Sequence, residues 1–239
     1  MNPAPRFQAE FMIRQNIAEV EAFAEVFRKR ITTAFANLPG DAENVMLQEM
    51  EQISAIGFVT EPGDAADFAY MAGVDYYVAV DAVRQGVLNL MVAGLYHLLE
   101  QQAAYSLETA LPQSAGQAAQ EYALPRLTAM MRTLGIDLKL LTSWPTIDEL
   151  GLIANAVKHG GGRSADRLRT SRPDLFITVG AEIFPHLRRN LPIRPLVGDG
   201  LILTSDHFQH YADAVMFFWN ELIAAMLPIM RPDLAGRQS

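Results

Sequence analysis

Apolar residues recur every three or four positions over most of this chain, the period of a helix with one buried face, and clusters of Pro, Gly, Asn and Asp separate the stretches. Residues 9–37 read as a long amphipathic helix. Ile13, Ile17, Val20, Ala24, Phe27 and Ile31 keep helical spacing, while Glu19, Glu21, Glu25 and the cationic end Arg28, Lys29 and Arg30 fill the other side. Pro39, Gly40 and Asp41 break the pattern, and a second helix is expected over 42–56. Residues 61–64 punctuate again. From 64 to 107 the period is helical, with a break expected near Gly73. The second half, 74–107, is apolar on most faces, which predicts a helix buried in the middle of a bundle. One stripe on it is polar: Asn89, Tyr96 and Glu100 fall at i, i+7 and i+11, as either a solvent face, an internal hydrogen-bond network or part of a site.

After a loop at 112–116, a helix is predicted over 117–134, ended by Gly135, with an extended connector at 138–141. The sharpest local signals lie in 143–162. Pro145 suits a helix start, and Thr146 with Glu149 three residues on forms a capping-box pair. Gly160, Gly161 and Gly162 can take the left-handed turn that ends helices. Leu150, Ile153, Ala154 and Val157 make one apolar face; Asp148, Asn155 and His159 fall together opposite, with Lys158 beside them. Trp144 precedes this helix as a core anchor. A short polar helix or turn follows at 164–169. Apolar or β-branched runs at 176–179 and 201–203, set among Pro192, Pro195 and Gly198, read as two short strands around a helical turn near 181–190. Thr204, Ser205 and Asp206 offer caps for a last helix to about residue 227, whose core face is Phe208, Tyr211, Ala212, Val215, Phe218, Trp219 and Leu222. The expected fold is mainly α, a helical bundle with a small β-hairpin appendage near 176–203. Its parts are N-terminal helices at 1–60, a helical core at 64–170, and the appendage with a C-terminal helix at 171–239, all packing as one domain.

Half of the 239 residues are hydrophobic, enough for a sizeable core, and there is no cysteine, which excludes disulfides and thiolate chemistry and fits a reducing cytoplasm. The start, MNPAPRFQAE, lacks a signal-peptide pattern. The most apolar run, 87–99, is interrupted by Asn89 and His97 and falls short of the ~20 residues of a membrane span, so a soluble cytoplasmic protein is expected. The net charge of −8 argues against general nucleic-acid binding, yet residues 158–194 carry eight Lys/Arg against three Asp/Glu. The basic region therefore begins where the 144–159 helix ends. It reads equally as a solvated arginine-rich loop or as an RNA-facing surface.

An amide and an imidazole one turn apart, flanked by Lys, can hydrogen-bond a phosphate or move a proton. A Trp, an apolar helix, then Asn-x-x-x-His followed by Gly also resembles the last conserved helix of HEPN domains. The segment LYHLLEQQ around Glu100 resembles their long central helix. The resemblance spans residues 70–170 in helix order. It implies an all-helical, often dimeric protein of a family rich in RNA-cutting toxins and phage-defence effectors. That family's motif pairs an Arg with a His four to six residues beyond; here Asn155 and His159 match, and Ala154 stands where the Arg would be. The resemblance thus implies two alternatives. In the first the chain is a metal-independent ribonuclease without cofactor. The 2′-hydroxyl attacks the adjacent phosphate, His159 moves the proton, Lys158 or Arg163 steadies the developing charge, Asn155 orients the phosphate or His159, and Glu100 positions these groups. Lys158, Arg163, Arg167, Arg169 and Arg172 would then hold the RNA. In the second, Ala154 marks a non-catalytic dimerisation or interaction module, with Asn155 and His159 as caps and interface hydrogen bonds. Expected partners are a second copy, with Leu152 as a contact, RNA, and a protein such as an antitoxin or a defence-system subunit; no membrane is expected.

Two other constellations are weaker. His207 and His210, with Asp206 and Asp213 nearby, offer two metal ligands but no identifiable third, so no metal is assigned. The string Asn155 to Gly160 also looks like the ATP-contacting helix of histidine kinases (a GHKL-type ATPase). Those need an acid four residues before the Asn, where Gly151 stands, and an Asp-x-Gly-x-Gly loop that 199–203 does not supply.

Overall fold

The computed structural model describes residues 4–57, 62–110, 123–160, 162–176 and 200–229, and these are overwhelmingly helical. Helices α1 (Ala4–Val26), α2 (Leu38–Ile56), α3 (Pro62–Ala110), α4 (Ala123–Thr133), α5 (Trp144–His159), α6 (Arg163–Ser171) and α7 (Ser205–Met226) carry the fold, joined by short 3-10 and π turns. The mainly-α expectation is met. Several local expectations are not. The cluster at Pro39 starts α2 rather than interrupting the chain: Pro39 sits in the first turn, where its missing N–H costs nothing. Gly73 does not break α3. A Cβ there would meet the Ala42 carbonyl at 3.0 Å and Met46 at 3.2 Å, so the glycine serves the close approach of α2. Residues 138–140 form a 3-10 turn rather than an extended connector.

Of the two expected strands, the one at 201–203 does not form, and 177–179 of the other lie outside the described residues. Leu175 and Phe176 end a 3-10 turn, and residues 177–199, including the expected helical turn near 181–190, lie outside the described residues. Leu201 to Leu203 are extended, but their partners are mostly side chains. Gln85 donates to the Leu203 carbonyl and to Asn89 Oδ1, and Asn89 donates to the Leu201 carbonyl, each at 2.9–3.0 Å. One backbone bond, Ile202 N–H to the Leu175 carbonyl, joins the two segments. Buried amides on a helix therefore supply what a neighbouring strand would have supplied.

One apolar cluster, from Ile13 to Leu222, forms the core; it takes α3 only from Leu88 onward and nothing between Ile31 and Leu88. Trp219, Tyr211, Phe208 and Phe218 of α7 are fully buried in it, as expected of that helix's core face. Phe27 stacks on Phe208 with ring centroids 3.9 Å apart. α2 instead packs on the first half of α3, through Ala65, Ala69 and Gly73, and the two make a helical hairpin beside the core.

A single amide ties three helices at the centre. Gln102 on α3 accepts a hydrogen bond from the Trp219 indole of α7 at 2.8 Å, and donates to the Asn16 carbonyl at 2.9 Å and to Glu19 of α1. Leu at this position would leave the Trp219 N–H buried and unpaired, at a cost of ~1–3 kcal/mol, and would remove the tie to α1. Gln102→Leu is therefore expected to lower unfolding free energy by about 1–3 kcal/mol in urea titration. A loss below about 0.5 kcal/mol would remove Gln102 from this role.

Candidate functional site

α5 positions the residues singled out by the sequence, and its start is capped from outside. The expected Thr146/Glu149 capping box does not form; Ser143 is the N-cap residue and makes no side-chain cap of its own. Glu221 on α7 instead accepts from the Thr142 and Ser143 N–H groups, both at 2.9 Å, and from the Ser143 hydroxyl at 2.6 Å. Burial opposes ionisation of Glu221, but these bonds outweigh it and hold the carboxyl below its usual range. Glu149 is free of the cap because Arg172 and the Tyr211 hydroxyl both donate to it. Burial and that bond push the Tyr211 phenol far above its ordinary value. Gly151 lets α5 approach α3: a Cβ there would lie 3.0 Å from the Tyr96 ring.

An open cleft of about 850 Å³ lies between α3, α4, α5 and α6. Its apolar wall includes Tyr96, Pro125, Trp144 and Leu152, and its polar groups include Asn155, Asp148, Arg132, Lys139 and Arg167. Arg167 reaches Asp148 at 3.5 Å, both well exposed, so the pair leaves most of the cation's charge available. Arg132 reaches Asp137 at 3.3 Å, and no described carboxylate pairs with Lys139. Three cations against one lining carboxylate, around an aromatic wall, suit an anionic ligand with an apolar or aromatic part. Trp144 is only partly buried: it anchors the α5 start, as expected, and also faces this cleft.

The expected site residues separate into three groups. Asn155 and Arg167 line the cleft. Lys158, His159 and Arg163 are exposed at the α5–α6 junction, outside its lining; there Gly160, at φ 71°, and Gly162, at φ 89°, turn the chain. Glu100, Arg169 and Arg172 are engaged elsewhere. Glu100 accepts from the Ala123 and Leu124 N–H groups at 2.9 and 3.3 Å, as a cap for α4. Arg169 stacks over the Phe176 ring at 4.9 Å. Arg172 spans Glu149 and Asp174. Arg132 and Lys139 belong to the cleft and were missed, because windowed charge counts see the basic run at 158–194 but not cations brought in from α4 and the 3-10 turn. No protein-family model, no curated protein and no solved structure matches this chain.

Of the two histidines of α7, His207 serves a cap. The Thr204 hydroxyl accepts the His207 N–H, and His207 Nδ1 accepts the Thr204 N–H at 3.1 Å, a capping box with His in the Glu position. Nδ1 can accept only while the ring is neutral. Burial, with Arg172 nearby, lowers the His207 pKa from its ordinary 6.5. Below about pH 6.5 the unfolded chain binds a proton that the folded chain resists. This contribution to stability is therefore complete above that pH and shrinks as pH falls toward the depressed folded value. Urea midpoints are expected to drop between pH 7.5 and 5.5, and to drop less in His207→Asn; equal slopes in the two proteins would exclude His207 as the cause.

Proposed function

We propose that this chain is a non-catalytic interaction module with a HEPN-like helical core, and that the cleft between α3 and α6 receives an anionic partner. One observation carries the reading: Ala154, at the position of the family's Arg, is 2% exposed. An arginine there would enter the packed interior rather than the cleft. Glu100, the residue expected to position the reacting groups, has its carboxylate committed to the α4 cap. His159 lies outside the cleft that Asn155 lines. Candidate partners are a segment of an antitoxin-like or defence-system protein, or an RNA strand bound without being cut, held by Arg132, Lys139 and Arg167 around the aromatic wall.

The ribonuclease reading keeps one observation in its favour: Lys158, His159 and Arg163 stand exposed together at the α5–α6 turn, and no described carboxylate neutralises them. Incubation of the native protein and His159→Ala with total RNA separates the two readings. No cleavage by either protein is expected; cleavage that His159→Ala loses would overturn the module reading.

Ala154→Arg is expected to destabilise by more than ~3 kcal/mol, the cost of an unpaired cation in a packed interior, and to gain no RNA cleavage. Thermal melting checks the first part. A variant that melts like the native protein would mean that position 154 reaches solvent after all.

A further inference from the structure

A second cavity, of about 300 Å³, shares no lining residue with the cleft. It lies where the end of α1 and the starts of α2 and α7 meet the side of α3. Tyr77, Asp81, Arg84 and Leu88 face it from α3, at i, i+4, i+7 and i+11. The cavity is polarised. Phe27, Leu38 and Leu88 are buried and form an apolar floor, with Phe35 partly buried beside them. The two charged lining residues are more open: the Arg84 and Asp81 side chains are 42% and 28% exposed, so the charge stands at the mouth.

These two side chains bond each other with only part of their capacity. Arg84 Nε and Nη2 donate to the same Asp81 oxygen, at 2.9 and 2.7 Å. Among the described residues nothing bonds Arg84 Nη1, the second Asp81 oxygen or the Ser205 hydroxyl. The Nη1–Nη2 end of a guanidinium is an edge that matches a carboxylate. Ser205 is the first residue of α7, an end that favours an anion. The second Asp81 oxygen is an acceptor suited to an ammonium. The wall itself is unusual. Phe27–Ile31 is a π turn in which the Thr32 N–H reaches back to the Phe27 carbonyl at 3.1 Å, and such turns are rare and recur at functional sites.

We propose that this cavity binds a free α-amino acid with a large apolar side chain. The ligand's carboxylate lies on Arg84 and the Ser205 hydroxyl, its ammonium on Asp81, and its side chain on the floor of Phe27, Leu38 and Leu88. Charge selects the class: a carboxylate alone would meet Asp81 and an amine alone would meet Arg84, whereas a zwitterion satisfies both. Size agrees, because the cavity stands at the low end of the roughly 300–1,000 Å³ of ligand sites. This proposal does not rest on the cleft or on its partner.

Titration calorimetry and saturation-transfer NMR with L-phenylalanine test it. L-phenylalanine is expected to bind one per chain and to shift the resonances of Phe27, Phe35 and Tyr77. 3-Phenylpropionate, which lacks the ammonium, phenethylamine, which lacks the carboxylate, and glycine, which lacks the apolar part, are each expected to bind about tenfold or more weaker. Arg84→Gln and Asp81→Asn are expected to lose binding by a similar factor while keeping the native circular dichroism, since an ion pair this exposed contributes little to folding. Absence of L-phenylalanine binding, equal binding of any of the three truncated compounds, or binding indifferent to both substitutions would each overturn the proposal.

Discussion

A helix of 49 residues is about 74 Å long, whereas a globule of 239 residues has a radius of gyration near 18 Å. α3 therefore cannot be buried from end to end, and the rest of the architecture follows from where it leaves the core. From Leu88 onward it is the central helix, with α1, α4, α5 and α7 packed around it. Before that point its neighbour is α2, and the contact is made through Ala65, Ala69 and Gly73, whose small size brings two backbones together while burying little apolar area. Its other residues there, such as Phe68 and Val83, are left exposed by geometry, since a two-helix hairpin has a third and fourth side that nothing covers.

The central half of α3 carries polar residues that a buried helix tolerates only if each finds a partner. Gln85 and Asn89 bind the carbonyls of the 201–203 segment, Gln102 joins α1 to α7, and Glu100 caps α4. These bonds are directional where apolar packing is not, so they set the register of α7 and α4 against α3. Glu221 and Glu149 do the same for α5 from α7 and from the 172–176 turn. The carboxylates that a sequence reader would enlist for catalysis are largely consumed in assembly.

Helix positions were legible because they depend on local period and on Pro and Gly, and the spans of α5 and α7 emerge close to their expected bounds. The errors share one cause. Gly73 was read as a break, Glu149 as a local cap, and 201–203 as a strand, because each was judged by its neighbours in sequence. In the fold each answers to a residue far away: Ala42, Arg172 with Tyr211, and Gln85 with Asn89. The polar stripe Asn89, Tyr96 and Glu100 was noticed correctly as a set, yet it serves three different tasks, a carbonyl clamp, a contact across Gly151, and a helix cap.

What α5 offers a ligand follows from its period. Its apolar side carries Leu150, Ile153 and Ala154, all buried, so these positions are committed to packing before any chemistry is considered. The side open to the cleft carries Asp148, Leu152 and Asn155, at i, i+4 and i+7. His159 continues that side by one more turn, but α5 ends there and the wall of the cleft turns away into α6. The cleft therefore presents an amide, a leucine and a carboxylate from α5 beside cations from α4, the 138–140 turn and α6.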